Sequence, residues 1–145
     1  MRGFGETDMK RSEHADAWLQ QAEHDIGAAR LLRSNGYWDT CALMCQQAAE
    51  KAIKAVWIDV KGSAPPKVHW VERLAEELGA PQDIVDAASM LVAEYTASRY
   101  PDALASPAFQ LYSDDDSDER LGYAESIIGW AESQWEEEDG TENGR

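Results

Sequence analysis

The residues best suited to chemistry lie in one short segment, which contains Tyr95 and the run Arg-Tyr-Pro-Asp from Arg99 to Asp102. A guanidinium offers two parallel N–H donors to a phosphate, so Arg99 is a candidate anion-binding residue. An arginine at a helix end can equally cap the last carbonyl groups and pair with a nearby carboxylate. Pro101 prevents a helix from continuing normally, which fixes where Arg99 and Asp102 point under either interpretation.

A second group of charged residues lies in an alanine-rich stretch, where Glu50, Lys51 and Lys54 stand close together. Glu50 precedes Lys54 by four residues, the favourable orientation for an intrahelical ion pair. Lys51 lies on a different side of the same helix, where it can pair with Asp25 or reach a nucleotide phosphate. We favour the internal ion pair, because charges in an apolar helix need partners.

His69 is the candidate for proton transfer near neutral pH, where histidine changes its charge most readily. It follows residues 65–68 at a predicted helix start, where its ring can cap backbone groups, pack, or join a polar cluster near Arg99. We favour capping or packing. His24 is predicted to lie on the solvated side of its helix and is assigned no chemistry.

Cys41 and Cys45 are the only cysteines and lie four residues apart in a helical stretch. No second cysteine pair is present to complete a zinc site. We therefore interpret both as reduced core residues and predict no metal site.

The charge of the chain limits its partners. Its 145 residues carry a formal charge of −15, from 13 basic and 28 acidic residues, which argues against DNA and makes RNA an unfavourable partner. Ten of the acids lie in residues 114–119 and 136–142, and without them the charge would be −5. We interpret both acidic runs as solvated loop or tail, and the six tryptophans as core or interface anchors.

Apolar residues at helical spacing predict the scaffold that positions these candidates. The pattern indicates five helices. The first runs from Ala15 to the Asn35-Gly36 stop, the second is buried and runs from Tyr37 to Lys61-Gly62, and the third is short, from about His69 to Leu78. The fourth runs from Pro81 into Arg99, and the last, capped by Ser113 or Asp114, follows an irregular loop at 101–117. The predicted fold class is therefore all-α, an up-and-down bundle of about five helices, four long and one short.

The same pattern predicts one domain at 15–135, with a frayed N-terminus at 1–14 and an acidic disordered tail at 136–145. The chain has no run of about 18 apolar residues and no signal-peptide pattern, so we expect a soluble cytoplasmic protein with no membrane partner.

Four segments, taken in order, resemble the HEPN family, the higher eukaryotes and prokaryotes nucleotide-binding domain. They are AEHDI at 22–26, QQAAEKAIKA at 46–55, His69 before Leu74, and Tyr95 before Arg99-Tyr100-Pro101-Asp102. The resemblance covers about residues 15–135. It implies an up-and-down helical bundle that is frequently a homodimer and is often encoded beside a small nucleotidyltransferase, with which it forms a toxin–antitoxin-like pair.

One departure bears on activity. The active ribonucleases of the family resemble one another in an arginine followed, after four to six residues, by a histidine. Here YPDALASPAFQ follows Arg99 without a histidine, so RNA cleavage by that motif is not expected and we lean against an enzyme. The resemblance also makes Tyr95, Tyr100 and Tyr112 candidate acceptors of a nucleotidyl group, although their spacing does not match the family pattern.

Three hypotheses follow. The first is a HEPN-like interaction module, a homodimer whose fourth-helix face and adjoining loop engage a small nucleotidyltransferase. The alternatives are a divergent ribonuclease that uses Arg99, Asp102 and His69, and a nucleotide-binding domain that holds phosphates with cationic side chains. No cofactor is required under any of the three hypotheses, and a nucleotide is kept as an alternative ligand. The predicted ligand or partner-binding residues are Arg99, Tyr100, Asp102, Lys51, Lys54 and Tyr95.

Overall fold

The computed structural model describes residues 9–92 and 106–135, and every regular element within these ranges is helical. Five α-helices are present there, together with a short 3₁₀ helix at Ala108–Gln110: α1 Glu13–Ser34, α2 Trp38–Lys61, α3 Glu72–Glu77, α4 Gln82–Val92 and α5 Asp114–Glu132. The predicted all-α bundle of four long helices and one short helix is confirmed. The predicted tail at 136–145 and the first eight residues lie outside the described residues.

The ends of α1 and α2 follow the local signals. Ser12 caps α1 by accepting a 3.1 Å hydrogen bond from the amide of Ala15. Gly36 takes a positive φ of 82° in the turn between the helices, and Gly62 ends α2 with a φ of 66°. This left-handed backbone favours glycine, because a side chain there would clash with the backbone.

α2 is the central helix, as its apolar positions predict. Alanines make up much of its buried surface, and their small side chains let the flanking helices approach closely. α2 packs on α1, α3, α4 and α5. The buried side chains of those helices complete a single core around it. Charged residues on α2 are therefore held inside a packed domain.

The short helix α3 begins later than predicted. It starts at Glu72, whereas the sequence pattern placed its start at about His69. Pro65 and Pro66 lack amide donors and restrict the backbone of the residue before each of them, and the amide of Val68 instead bonds the carbonyl of Pro66 at 3.0 Å. The connector therefore extends past His69, which does not cap the helix.

The first acidic run is helical, which corrects the interpretation of a solvated loop. Residues 114–119 form the first turns of α5, and Ser113 caps this helix in a reciprocal capping box with Asp116. Three aspartates in the first turn oppose the partial positive charge of the helix N-terminus, so acidic residues stabilise the helix here. The choice of Ser113 as one possible cap is confirmed.

The tryptophans differ in their surroundings. Trp57 and Trp135 are buried in the core, and Trp18 and Trp130 pack against it. Trp70, in contrast, lies in the connector before α3 with 53% of its surface exposed, so it is not a core residue.

The two ends of the described domain meet at Asp59, near the end of α2. Its carboxylate accepts hydrogen bonds from Ser12, at the start of α1, and from Trp135, just after α5. We refer to Ser12, Asp59 and Trp135 as the Asp59 junction.

None of the described helices combines the length and apolar character needed to cross a membrane.

Candidate functional site

The Arg-Tyr-Pro-Asp candidates fall outside the described structure. Tyr95 and residues 99–102 lie within 93–105, which is the gap between the two described ranges. Their roles stay predictions. The other predicted site residues lie within the described ranges: Lys51, Lys54 and His69. Their hydrogen-bond partners and burial show whether they are available to bind a ligand.

A buried polar cluster lies on α2, and Glu50 is its centre. One carboxylate oxygen of Glu50 accepts a hydrogen bond from Gln46 Nε2 at 2.9 Å and faces His69 Nδ1 at 3.1 Å. The other oxygen accepts from Lys54 Nζ at 2.9 Å, which confirms the predicted intrahelical ion pair. We refer to Gln46, Glu50, Lys54 and His69 as the Glu50 cluster.

Within the Glu50 cluster, the two buried charges of Glu50 and Lys54 pair with each other. Glu50 and Lys54 are only 9% and 5% exposed, so the attraction between their opposite charges must replace the interactions with water that each has lost. Burial is the largest single influence and would raise the pKa of Glu50, but hydrogen bonds from Lys54, His69 and Gln46 outweigh it and hold that pKa below its ordinary value. Glu50 is therefore a carboxylate near neutral pH.

Lys51 makes the second predicted pair. Its Nζ donates to Asp25 of α1 at 2.7 Å, and its contact with Gln47 is longer, at 3.5 Å. Asp25 is buried, and Gln21 also donates to it at 2.9 Å. The ion pair that we favoured for Lys51 is confirmed, and it ties α1 to α2 by a contact between charged groups.

His69 packs against a buried residue and also joins a polar cluster, two of the roles considered for it. Its ring contacts buried Glu50, and its side chain is 44% exposed, so it links a core carboxylate to the surface. It belongs to a polar cluster rather than to a helix cap. Whether that cluster also includes Arg99 falls outside the described residues.

Gln46 is the member of the cluster that sequence reasoning missed. The signal was present, because Gln46, Glu50 and Lys54 follow one another at intervals of four on one helical face. His69 could not be placed in the same way, because its contact with Glu50 depends on the path of the connector between α2 and α3.

Two groups of ion pairs join α1 to α5 on another face of the bundle. Arg30 donates to Glu125 at 2.9 Å, and Arg33 donates to Asp114 at 3.0 and 3.1 Å. Beside Arg30 lies a cavity of about 340 Å³, which we call the α1–α5 groove. The groove is lined by Glu23, Ile26, Arg30, Glu125, Ile128, Gly129 and Glu132.

The two cysteines lie in the hydrophobic core. Cys41 and Cys45 are buried in α2 and are not joined by a disulfide, which confirms their interpretation as reduced core residues. A hydrogen bond with Cys45 lowers the pKa of Cys41, with help from the charge of Arg33, while burial opposes the shift. Within residues 9–92 and 106–135, no group of three or more potential ligands is placed to hold a metal ion.

These features define an all-helical domain that encloses paired charges around one central helix. The chain belongs to the HEPN family, because the family model described as the HEPN domain matches residues 15–134. The resemblance that motifs at 22–26 and 46–55 indicated is thereby confirmed.

Solved structures agree with this assignment. The crystal structure of TT1696 from Thermus thermophilus is 30% identical and has a TM-score of 0.78; the match covers 85% of this chain and 99% of that one. The structure of ST0689, described as an archaeal HEPN homologue, is 34% identical with a TM-score of 0.72, covering 87% of this chain and 98% of that one. A comparison with curated proteins found no match.

Proposed function

We propose that this HEPN domain is an interaction module, a homodimer that pairs with a small nucleotidyltransferase in a toxin–antitoxin-like system. The class of partner comes from the family resemblance. The observation that carries an interaction role is the exposure of large apolar side chains on α4 and on the segment before α5. Met90 is 47% exposed, Phe109 63% and Leu111 52%. Apolar and aromatic side chains of this kind are typical anchors of protein interfaces.

The surroundings of the lysines favour this role over nucleotide binding by α2. Lys54 is buried against Glu50, and Lys51 is paired with buried Asp25. To bind a phosphate, either ammonium group would have to leave a carboxylate that would then remain buried without it, which is costly. Any nucleotide or RNA chemistry would therefore rest on Arg99 and Asp102, as in the alternative hypothesis.

The charge of the chain favours a partner with a basic surface. Phe109 and Leu111 lie shortly before the acidic first turn of α5 in the sequence, so exposed apolar groups and negative charge are close together along the chain. Complementary charge accelerates association and selects among partners. A nucleotidyltransferase that binds this face is expected to present an apolar centre with a basic rim.

Light scattering of the purified protein, alone and with the nucleotidyltransferase encoded beside it, tests the proposal. We expect a dimer alone and a defined hetero-complex after mixing. Phe109→Glu and Met90→Glu should weaken that complex, whereas Leu31→Glu, at an exposed position of α1, should not. A homodimer that ignores its neighbour would reject the partnership and direct attention to RNA and nucleotide assays with Arg99→Ala.

A further inference from the structure

Two cationic side chains in residues 65–73, which run from the connector after α2 into the first turn of α3, differ from most others in the domain. Seven other arginines and lysines of the described ranges lie 2.7–3.5 Å from a carboxylate oxygen. Lys67 and Arg73 are exposed, and neither forms an ion pair with a described residue. The segment holds these two cations and one acid, Glu72, in a chain of charge −15. It is therefore locally basic and open to an anion.

Trp70 lies between these two cations in the sequence. Its side chain is among the exposed large apolar groups, with 53% of its surface in solvent. An exposed indole offers a flat face on which a planar ring can stack, and aromatic side chains interleaved with cations are typical of sites for nucleotides. The indole and both cations lie within seven residues of the chain.

His69, next to Trp70, is held in a defined orientation. Glu50 is a carboxylate that can only accept, so Nδ1 of His69, 3.1 Å from it, carries the hydrogen. In the neutral ring Nε2 is then the acceptor. Gln46 and Lys54 fix Glu50 in turn, each at 2.9 Å. A buried frame thus orients a side chain that is 44% exposed.

We propose that this segment binds a nucleoside phosphate. We refer to the residues that contact it as the connector site: Lys67, His69, Trp70 and Arg73. The nucleobase stacks on Trp70, and Nε2 of His69 accepts a hydrogen bond from a ribose hydroxyl group. The two cations hold the phosphate. Glu50 is a positioning residue, because it touches His69 and not the ligand.

The connector site binds its ligand without a reaction, so any chemistry on a nucleotide still rests on Arg99 and Asp102. The inference is independent of the proposed nucleotidyltransferase partnership, because none of its residues belongs to the apolar surface of Met90, Phe109 and Leu111. A free nucleotide and the end of a single-stranded RNA offer the same base, ribose and phosphate, and the experiment distinguishes them.

NMR titration of the ¹⁵N-labelled protein with adenosine monophosphate tests the site through the indole N–H signal of Trp70, which Trp70→Phe identifies by its loss. We expect a saturable shift of that signal. Ribose 5-phosphate, which has no base, and inorganic phosphate should shift it much less. A short single-stranded oligoadenylate that binds more tightly than the mononucleotide identifies RNA as the ligand, and one that binds equally or more weakly identifies a free nucleotide.

Calorimetry with adenosine monophosphate measures the contribution of the indole. Trp70→Ala should raise Kd by about 5- to 100-fold, whereas Trp70→Phe, which keeps an aromatic ring, should retain most of the affinity. Phe109→Ala removes an aromatic ring of similar exposure elsewhere and should leave Kd unchanged. The site is overturned if neither adenylate ligand saturates, if Trp70→Ala binds as well as Phe109→Ala, or if inorganic phosphate binds as tightly as the nucleotide.

Glu50→Gln tests the positioning role, because an amide can either accept from Nδ1 of His69 or donate to it. We expect the ring ¹⁵N shifts of His69 to report the Nδ1–H tautomer in the native protein and a mixture in the variant, with nucleotide binding several-fold weaker. The ring shifts of His14 and His24 should not change. His69→Ala gives a second measure at a half-exposed position. A native Nε2–H tautomer, or unchanged binding by His69→Ala, would remove His69 from the site.

Discussion

Asp59 accepts a hydrogen bond of 2.8 Å from the indole Nε1 of Trp135, and this contact joins the end of α2 to the residues that follow α5. The same carboxylate accepts from the amide and hydroxyl of Ser12 at 2.9 and 2.5 Å. Ser12 in turn caps α1. One side chain therefore orders three helix ends, although it contributes little to the apolar core.

We expect Asp59→Ala to lower the free energy of unfolding by about 2–4 kcal/mol. The substitution leaves the buried indole N–H of Trp135 and the amide of Ser12 without their acceptor. Urea denaturation followed by circular dichroism measures the loss. Asp86→Ala, at an exposed position of α4, is the control and should change stability by less than about 0.5 kcal/mol. Equal effects of the two substitutions would contradict the role of the Asp59 junction.

The Glu50 cluster predicts an asymmetry between single and double substitutions. Lys54→Met should cost about 3–5 kcal/mol, because it leaves a buried carboxylate without its main countercharge. Combining it with Glu50→Gln should recover much of that loss, since no isolated charge then remains. Lys67→Met, at an exposed lysine, serves as the control. Additive losses in the double variant would show that the pair is not coupled.

Acid titration tests Glu50 separately. Its pKa is lowered in the folded state, so its contribution is present above the unfolded value of about 4.5 and is lost as the pH falls below it. Glu50→Gln should flatten this acid limb of the stability curve. Equilibrium unfolding from pH 2 to 8 covers this acid limb and the plateau above it. An unchanged acid limb in Glu50→Gln would refute the assignment.

Much of the fold and part of the site were predictable, because they depend on local spacing. Helical periodicity and glycine stops located α1 and α2, and spacing of four residues identified the Glu50–Lys54 pair. Charge balance inside an apolar helix identified Lys51–Asp25. Each of these inferences uses neighbours in sequence or two consecutive helices.

The remaining contacts depend on tertiary geometry. His69 meets Glu50 only because the connector around Pro65 and Pro66 brings it back over α2. Arg30 and Glu125 are far apart in sequence, and their ion pair depends on the register between the first and last helices. Periodicity identifies the face of each helix but not that register.

Replacing each of two glycines by alanine should change the stability of the protein in opposite directions, because the two glycines have different backbone conformations. Gly62 has a φ of 66°, so Gly62→Ala should destabilise the protein by roughly 1–2 kcal/mol. Gly27 lies within α1, and a methyl group there would meet no atom within 4 Å. Gly27→Ala should therefore stabilise by about 0.5–1 kcal/mol through helix propensity. Thermal unfolding of both variants tests this prediction. If both substitutions raise Tm, or both lower it, backbone conformation does not explain their effects.

The ion pairs between α1 and α5 should respond to salt in a way that the Glu50 cluster does not. Arg33 binds both oxygens of Asp114, at 3.0 and 3.1 Å, and lies 3.3 Å from Asp118, with both aspartates largely exposed. The hydrogen bond to Asp114 and the charges of both aspartates raise the pKa of Arg33, but exposed pairs are weakened by screening.

A double-mutant cycle with Arg33→Ala and Asp114→Ala should give a small favourable coupling at low salt, which disappears near 1 M NaCl, where the Debye length falls to about 3 Å. The same cycle with Glu50→Gln and Lys54→Met should keep most of its coupling, because ions cannot enter the space between those side chains. If the Arg33 coupling persists at high salt, the pair is shielded from solvent and has a larger structural role than its exposure indicates. If the Glu50 coupling disappears instead, water reaches the cluster, and Lys54 becomes available to an external anion.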